Sequence, residues 1–111
     1  MKLKETAEIF KLECATKFFD LEKEISGAYA SDLLSDVIAN TKKDNIWITL
    51  QTHVNIIAVA KLKELAAIII VMNKEVDEDT LAKANDESVT LLKTDLNAFQ
   101  ISGKLYEAGI R

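Results

Sequence analysis

Short apolar runs alternate with longer amphipathic stretches along the whole chain. The runs at 13–16, 24–29, 46–50, 67–71 and 89–92 are predicted strands, and 67–71 is apolar on both faces, as in a central parallel strand. Between them, helices are predicted over 3–12, from 31 or 32 to 40, over 52–65, from Asp77 onward, and from 94 or 95 to 106. This order predicts an α/β fold: a small, mostly parallel sheet with helices on both faces.

The helical spacing also predicts which side chains face the core and which residues cap the helices. Ser31 or Asp32 is a candidate N-cap for the second helix, and Thr94 or Asp95 for the last one. Carboxylates in the first turn after Asp77 oppose the positive end of the helix dipole. The residues predicted to point inward are Leu3, Ala7, Ile9, Phe10, Leu33, Leu34, Val37, Ile38, Leu96, Phe99 and Leu105.

The predicted helix from Thr52 to Leu65 is apolar around most of its circumference. Such a helix has to be covered on more than one side. Packing between the sheet and neighbouring helices would do this, and so would a homodimer contact. The sequence leaves both alternatives open, and a homo-oligomer is expected on the second.

Composition narrows the class of protein. The 111 residues suit a single domain over 1–111, with 49% hydrophobic residues, 29% charged residues and a net charge of −4. Because no basic patch is interleaved with aromatics, nucleic-acid binding is not expected. The apolar run at 65–72 is too short to cross a bilayer and no secretory signal is recognised, so we expect a cytoplasmic protein without a membrane partner.

Few residues offer the chemistry of a catalyst. The chain has three glycines and no phosphate-binding loop, and the lone Cys14 suits a small buried side chain. His53 is the only histidine, and the acidic run at 75–79 lacks the spacing of a calcium loop. We therefore predict no catalytic residue, no metal site and no named cofactor, and expect a binding protein rather than an enzyme.

The candidate ligand site is the predicted strand-to-helix junction at 49–53. Ligands favour the carboxyl ends of strands in open parallel sheets, and a helix N-terminus there offers amide groups to an anion. The hydroxyls of Thr49 and Thr52, the amide of Gln51 and the ring of His53 would contact a nucleotide or a phosphorylated small molecule. The alternative is structural: Thr52 caps the helix and His53 lies in its solvated first turn.

A second candidate is Ser31-Asp32 with Ser35-Asp36, two pairs that are four residues apart and so lie on one side of the start of the second predicted helix. If the loops meet, Asp32 would orient His53 or contact a ribose-like hydroxyl. Helix capping explains Ser31 and Asp32 without a ligand. Asp36, four residues after Asp32, is expected to be a solvated helix residue.

The runs SGAYASDLLSDV at 26–37 and WITLQTHVNI at 47–56 resemble those of stand-alone DRTGG-domain proteins. The similarity continues through AAIIIV at 66–71, DEDTLAKA at 77–84, VTLLKT at 89–94 and 98–99. It implies a fold shared with the N-terminal domain of HPr kinase/phosphorylase and, more remotely, of Mur ligases. Related DRTGG domains accompany CBS domains in regulated pyrophosphatases.

The residues that name the family are replaced here. The Asp-Arg pair aligns near Thr52 and His53, and Thr-Gly-Gly aligns near 71–73, where the chain reads Val-Met-Asn. The resemblance therefore implies a fold and a regulatory setting, and no kinase activity. We expect a non-catalytic domain that senses a small anionic metabolite or nucleotide, or alternatively an interaction or dimerisation subunit of a larger enzyme.

Overall fold

The computed structural model describes residues 1–17 and 19–111 and contains one five-stranded sheet with helices on both faces. In chain order the elements are α1 Leu3–Ile9, β1 Glu13–Cys14, β2 Gly27–Ala30, α2 Leu34–Asn40, β3 Asn45–Thr49, α3 Asn55–Leu62, β4 Ala67–Ile70, α4 Glu78–Asp86, β5 Leu91–Lys93 and α5 Ala98–Glu107. The predicted α/β class is confirmed.

The strands lie in the order β1-β5-β4-β3-β2. Strands β2 to β5 run parallel, with Trp47 opposite Tyr29 on one side and Ile68 on the other, and the short β1 runs antiparallel to β5. Every residue of β3 and β4 is buried because helices cover both faces of the sheet. The carboxyl ends of β2 to β5 therefore meet along one rim, called here the carboxyl edge.

Two cores lie on opposite faces of the sheet. On one face, α1 and α5 pack on a cluster that contains Ile46, Ile48 and Ile69. On the other, α2, α3 and α4 pack on Trp47, Ile68 and their neighbours. This division follows the alternation of side chains along β3 and β4. Within residues 1–17 and 19–111, no helix is long and apolar enough to span a membrane.

The apolar width of α3 is explained by internal packing. Ile56, Ile57, Val59 and Ala60 are buried against the sheet and the flanking helices α2 and α4. Of the apolar residues within α3, Ala58 and Leu62 remain exposed. The alternative in which α3 lies between the sheet and its neighbours therefore accounts for most of the apolar pattern.

Several predicted boundaries and caps were wrong. The last helix begins at Ala98 rather than after Thr94 or Asp95, because Asn97 and Gln100 form a reciprocal capping box. The first helix ends at Ile9, α3 is shorter at both ends than predicted, and the strands shift by up to three residues. Four side chains predicted to face the core are instead exposed: Ile9, Leu33, Ile38 and Phe99.

Candidate functional site

The structure brings the two predicted site segments together at the carboxyl edge. Strands β2 and β3 are parallel neighbours, so the loop after β2 and the loop after β3 start side by side. The first loop holds Ser31 and Asp32, and the second runs from Leu50 to Val54. Their meeting was a condition of the sequence hypothesis, and it is fulfilled.

Asp32 joins the two loops. Its Oδ1 accepts a hydrogen bond from the Thr49 hydroxyl at 2.7 Å and another from the Leu50 amide at 2.8 Å. The Gln51 side-chain amide donates to the Asp32 carbonyl at 3.0 Å, and the Gln51 backbone amide donates to the Thr49 hydroxyl at 3.1 Å. An internal carboxylate therefore already engages the buried Thr49 hydroxyl, which was predicted to contact a ligand.

Ser31 has a structural role in the first loop. Its hydroxyl accepts from the Leu33 amide at 3.2 Å, and its carbonyl accepts from the Trp47 indole N–H at 2.7 Å. The predicted capping of α2 by Ser31 or Asp32 was wrong, because α2 begins at Leu34 and its N-cap, Leu33, makes no side-chain cap bond. Asp32 is directed at β3 instead.

Thr52 and His53 lie between β3 and α3. The helix begins only at Asn55, so the predicted cap by Thr52 was wrong. The Thr52 carbonyl accepts from the buried Thr80 hydroxyl at 2.7 Å, which ties this loop to α4. The His53 side chain is exposed, and among the described residues it has no hydrogen bond to Asp32. Thr52 is thus half-buried and His53 is exposed, so this junction is open to solvent. The predicted role of Asp32 in orienting His53 was wrong.

Charge is unevenly distributed around the second loop. The contact between Thr80 and Thr52 places the first turn of α4, with Glu78 and Asp79, next to the loop. A shallow cavity of about 460 Å³ there is lined by Val54, by the carboxylates of Asp79 and Asp86, and by Lys83, whose ammonium is paired with Glu87 at 3.2 Å. The carboxylates of α4 make this flank less favourable to an anion than the other one, where His53 is exposed and the Asn55 amide has no hydrogen bond among the described residues.

Exposed apolar side chains accompany the polar ones at the carboxyl edge. Leu33 follows β2 with 64% of its surface exposed, Leu50 follows β3 with 40%, and Met72 follows β4 with 54%. Sequence reasoning missed them as site residues, although each lies within three residues of the end of a strand. Together they give this rim a partly apolar surface, which suits a ligand with a flat or hydrophobic portion.

The turn after β4 has an unusual backbone. Met72 and Asn73 have φ values of 60° and 49°, in the left-handed region that favours glycine. Their amides donate to the carbonyls of Leu96 and Thr94 at 2.9 and 2.8 Å. This is where the resemblance aligns the Gly-Gly of the DRTGG motif, so the chain keeps a glycine-like conformation without the glycines.

Residues outside the carboxyl edge add further information. Asp36, expected to be solvated, is half-buried and accepts from the Tyr29 hydroxyl and the Asn40 amide at 2.8 to 2.9 Å. The Cys14 thiol is half-buried and donates to the Thr16 carbonyl at 2.8 Å. Within residues 1–17 and 19–111, no three His, Cys, Asp or Glu side chains are grouped to hold a metal ion.

Comparison with solved structures supports a DRTGG-like fold. The chain is similar to the CBS and DRTGG domains of the regulatory region of Clostridium perfringens pyrophosphatase, complexed with its activator diadenosine tetraphosphate. The TM-score is 0.69 at 12% sequence identity, over 92% of this chain and 44% of that one. This chain thus spans less than half of the length of the regulatory region. No family model and no curated protein sequence matches the chain.

Proposed function

We propose that this domain is a non-catalytic sensor that binds a small anionic metabolite or a nucleotide at the carboxyl edge. The observation that carries the proposal is the Asp32 network, which holds two loops in a fixed relation and leaves polar groups facing solvent. A rigid scaffold that presents exposed polar groups is what a binding site requires. The proposed site comprises Ser31, Asp32, Thr49, Gln51, Thr52 and His53.

The nucleoside portion of a nucleotide fits the Asp32 side of this surface. Oδ1 of Asp32 is engaged by Thr49 and Leu50, whereas Oδ2 has no hydrogen bond among the described residues and Asp32 is exposed. A carboxylate oxygen in that position accepts hydrogen bonds from ribose hydroxyls. The neighbouring Leu33 and Leu50 side chains supply apolar contact for a base.

The phosphate portion fits the His53 side. The His53 ring is exposed, and the Asn55 amide at the start of α3 has no hydrogen bond among the described residues, whereas the Ile56 and Ile57 amides donate to the carbonyls of His53 and Val54. The acidic first turn of α4 lies on the other flank, so a phosphate is excluded there and directed toward His53. Ser31, Thr49 and Gln51 position these groups without contacting the phosphate.

Similarity to a regulatory region that binds an activator gives the proposal its biological setting. That protein was solved with a dinucleotide activator, and this chain shares the fold of a part of its regulatory region. Fold similarity at this identity does not transfer a ligand. The nucleotide class is therefore tested directly.

The test is a thermal-shift and calorimetric series with inorganic phosphate, adenosine, AMP, ATP and diadenosine tetraphosphate. A ligand at one hundred times its dissociation constant stabilises a domain by about 2.7 kcal/mol. For a chain of this size, that raises the melting temperature by roughly 10 °C or more. We expect a saturable shift with at least one nucleotide and weaker shifts with phosphate and with adenosine, each of which makes only part of the contacts.

Two variants locate the site. Asp32→Asn keeps an Oδ1 acceptor for Thr49 and Leu50 but replaces the free oxygen by a donor, so nucleotide affinity should fall while the fold is kept. His53→Ala should weaken phosphate and nucleotide binding alike. Glu8→Gln, at an exposed residue of α1 on the opposite face of the sheet, is the matched control and should change neither. Absence of any shift in the parent protein, or an unchanged shift in both variants, contradicts the proposal.

A further inference from the structure

The outer face of α5 is the most exposed aromatic surface in the described part of the chain. Phe99 is 76% exposed and Tyr106 is 61% exposed, one above the other two turns apart on the helix. Ser102 and Gly103 lie between them, and an added Cβ at Gly103 would meet nothing within 4 Å. These four residues, called here the α5 face, line a shallow depression of about 550 Å³.

A second depression continues the α5 face toward the edge of the sheet. It has a volume of about 220 Å³ and is lined by residues 28–30 of the edge strand β2, by Leu105 and Tyr106 of α5 and by Arg111, among others. Strand β2 pairs only with β3, so its other edge is open. The Arg111 guanidinium lies 4.6 Å from the centre of the Tyr106 ring and covers one side of it. The rest of this surface, between β2 and the outermost helix, is uncovered.

We propose that a second copy of this chain covers the α5 face, with the two α5 helices packed antiparallel about a two-fold axis. The order of side chains supports this occupant, because it is the same when read in either direction: aromatic, small, small, aromatic. A two-fold axis between Ser102 and Gly103 sets Phe99 of each copy against Tyr106 of the other. An isologous interface requires this reciprocity.

The small residues at the centre allow the helices to approach closely. Interaxial distances of packed helices depend on the side chains at the contact, and Gly103 offers none. Phe99 and Tyr106 would then pack in edge-to-face or offset contacts across the axis. The open space around Gly103, which serves no purpose in the isolated chain, becomes the crossing point.

Charge is compatible with this pairing. The exposed Glu107 of one copy lies near Gln100 of the other, which can donate a hydrogen bond to it. Each Glu107 lies four to five residues from the two-fold axis, on opposite sides of it. The two carboxylates are therefore separated by about 13 Å along the helix axes. That separation exceeds the Debye length at physiological ionic strength, so their repulsion is screened.

The available area indicates the strength of the dimer. With about 200 Å² per aromatic side chain, the exposed parts of Phe99 and Tyr106 give about 270 Å² per subunit. A standard interface buries about 800 Å² per partner, so Ala28, Ala30 and the small residues of α5 must add to it. Because the aromatic area alone falls short of a standard interface, the dimer is expected to be weak and reversible.

Sedimentation velocity over a wide concentration range, with three variants, tests the pairing. The parent chain should show a monomer–dimer equilibrium. Gly103→Gln should abolish the dimer while raising the melting temperature of the monomer, because glutamine is the better helix former and its Cβ has open space. Phe99→Gln should weaken the dimer at least about tenfold. Leu62→Gln, at a leucine of α3 that is 67% exposed, is the matched control and should leave it unchanged.

Gly103→Gln should abolish the dimer but raise the melting temperature of the monomer, and these opposite effects separate association from folding. A parent chain that is monomeric throughout the range overturns the proposal, and so does a Gly103→Gln protein that dimerises like the parent. If Leu62→Gln dissociates the dimer and Phe99→Gln does not, the interface lies on α3. Should Gly103→Gln fail to fold by circular dichroism, the Phe99→Gln and Leu62→Gln pair still decides the outcome.

Discussion

Helices α3 and α5 show that coverage, and not apolar content, determines which helix remains exposed. In α3, only Asn55 and Lys61 are polar, yet its large aliphatic side chains are buried except for Leu62. In α5, half of the residues are polar or glycine, yet Phe99 and Tyr106 both point to solvent. A count of apolar residues would have predicted that α3, and not α5, has apolar side chains exposed to solvent.

The difference originates in the sheet order. Helix α3 packs on the middle of the sheet with α2 on one side and α4 on the other. Helix α5 contacts β2 and β3 at the edge of the opposite face, beyond which no strand or helix of the described chain follows. Three helices share one face and two share the other, so the second face is left incomplete beside β2.

Side-chain hydrogen bonds repeat this contrast. On the α2–α4 face, Tyr29 is bonded to Asp36, Trp47 to the Ser31 carbonyl, and Thr80 to the Thr52 carbonyl. On α5, the Ser102 hydroxyl is buried without a partner among the described residues. On this layer of the described chain the lack of a partner is confined to α5, since the buried Thr6 hydroxyl of α1 donates to the Lys2 carbonyl at 3.0 Å.

The largest expected effect compares a buried residue of α3 with an exposed one of α5. Ile57 is fully buried, so Ile57→Ala should lower the free energy of unfolding by about 2–5 kcal/mol. Phe99→Ala should change the stability of the monomer by no more than about 0.5 kcal/mol, although it removes a larger side chain. Urea unfolding, at protein concentrations at which the chain is monomeric, measures the loss of stability in both variants. Equal losses would show that α5 is covered within one chain.

The next effect concerns the closure of the carboxyl edge. Asp32→Ala removes the acceptor of the buried Thr49 hydroxyl and of the Leu50 amide, and should cost about 1–2 kcal/mol. Asp32→Asn keeps an oxygen in the same place and should cost less. Chemical denaturation of the two variants gives the difference. If the two variants are equally stable, the oxygen that asparagine retains does not hold the loops. If both are as stable as the parent chain, the Asp32 side chain is dispensable for holding them.

Periodicity predicted the elements that are buried on both sides. The runs at 46–50 and 67–71 became β3 and β4 within one residue, because a fully buried parallel strand leaves a continuous apolar run. Helix starts were predicted poorly. Several Ser, Thr, Asp and Asn residues compete as caps, and tertiary contacts decided among them: Asp32 turned to Thr49, and Asn97 paired with Gln100.

The site was predicted in its position but not in its contacts. Adjacent parallel strands bring residues 31–32 and 49–53 to one rim, and that follows from the order of elements alone. Which hydroxyls stay free depends on side-chain directions that a sequence does not contain. Thr49 is already engaged by Asp32, and Phe99 points outward because nothing covers that side of α5.

A smaller effect is expected at the turn that links the two layers. The Met72 amide contacts the loop before α5, while its φ of 60° strains a residue with a Cβ. Met72→Gly should raise the free energy of unfolding by about 0.5–1 kcal/mol, since relief of strain exceeds the entropy cost of glycine. Lys74→Gly, two residues on and without a positive φ, is the control and should destabilise. A loss of stability in Met72→Gly would mean that the side chain contributes contacts.

The smallest effect is the pH dependence of the contact between β2 and α2, which has no counterpart beside α5. Hydrogen bonding from the Ser31 and Tyr29 hydroxyls lowers the pKa of the Asp36 carboxyl from its usual 3.8, and the same carboxylate, with some burial, raises the pKa of Tyr29 from 10.0. The contribution of Asp36 is therefore present above pH 3.8 and is lost as the pH falls through the lower folded value. The contribution of Tyr29 is present below pH 10.0 and is lost as the pH rises through the higher folded value.

Both groups lie near the surface, so solvent screens the contact and the stability change is small. Urea midpoints between roughly pH 2 and pH 5 should fall less steeply for Asp36→Asn than for the parent chain. Tyr29→Phe removes the donor, should reproduce part of that flattening, and should also abolish the loss above pH 10.0 that Tyr29 causes. If the urea midpoints of the parent chain and Asp36→Asn fall equally steeply with decreasing pH, the hydrogen bond between Tyr29 and Asp36 does not stabilise the contact between β2 and α2.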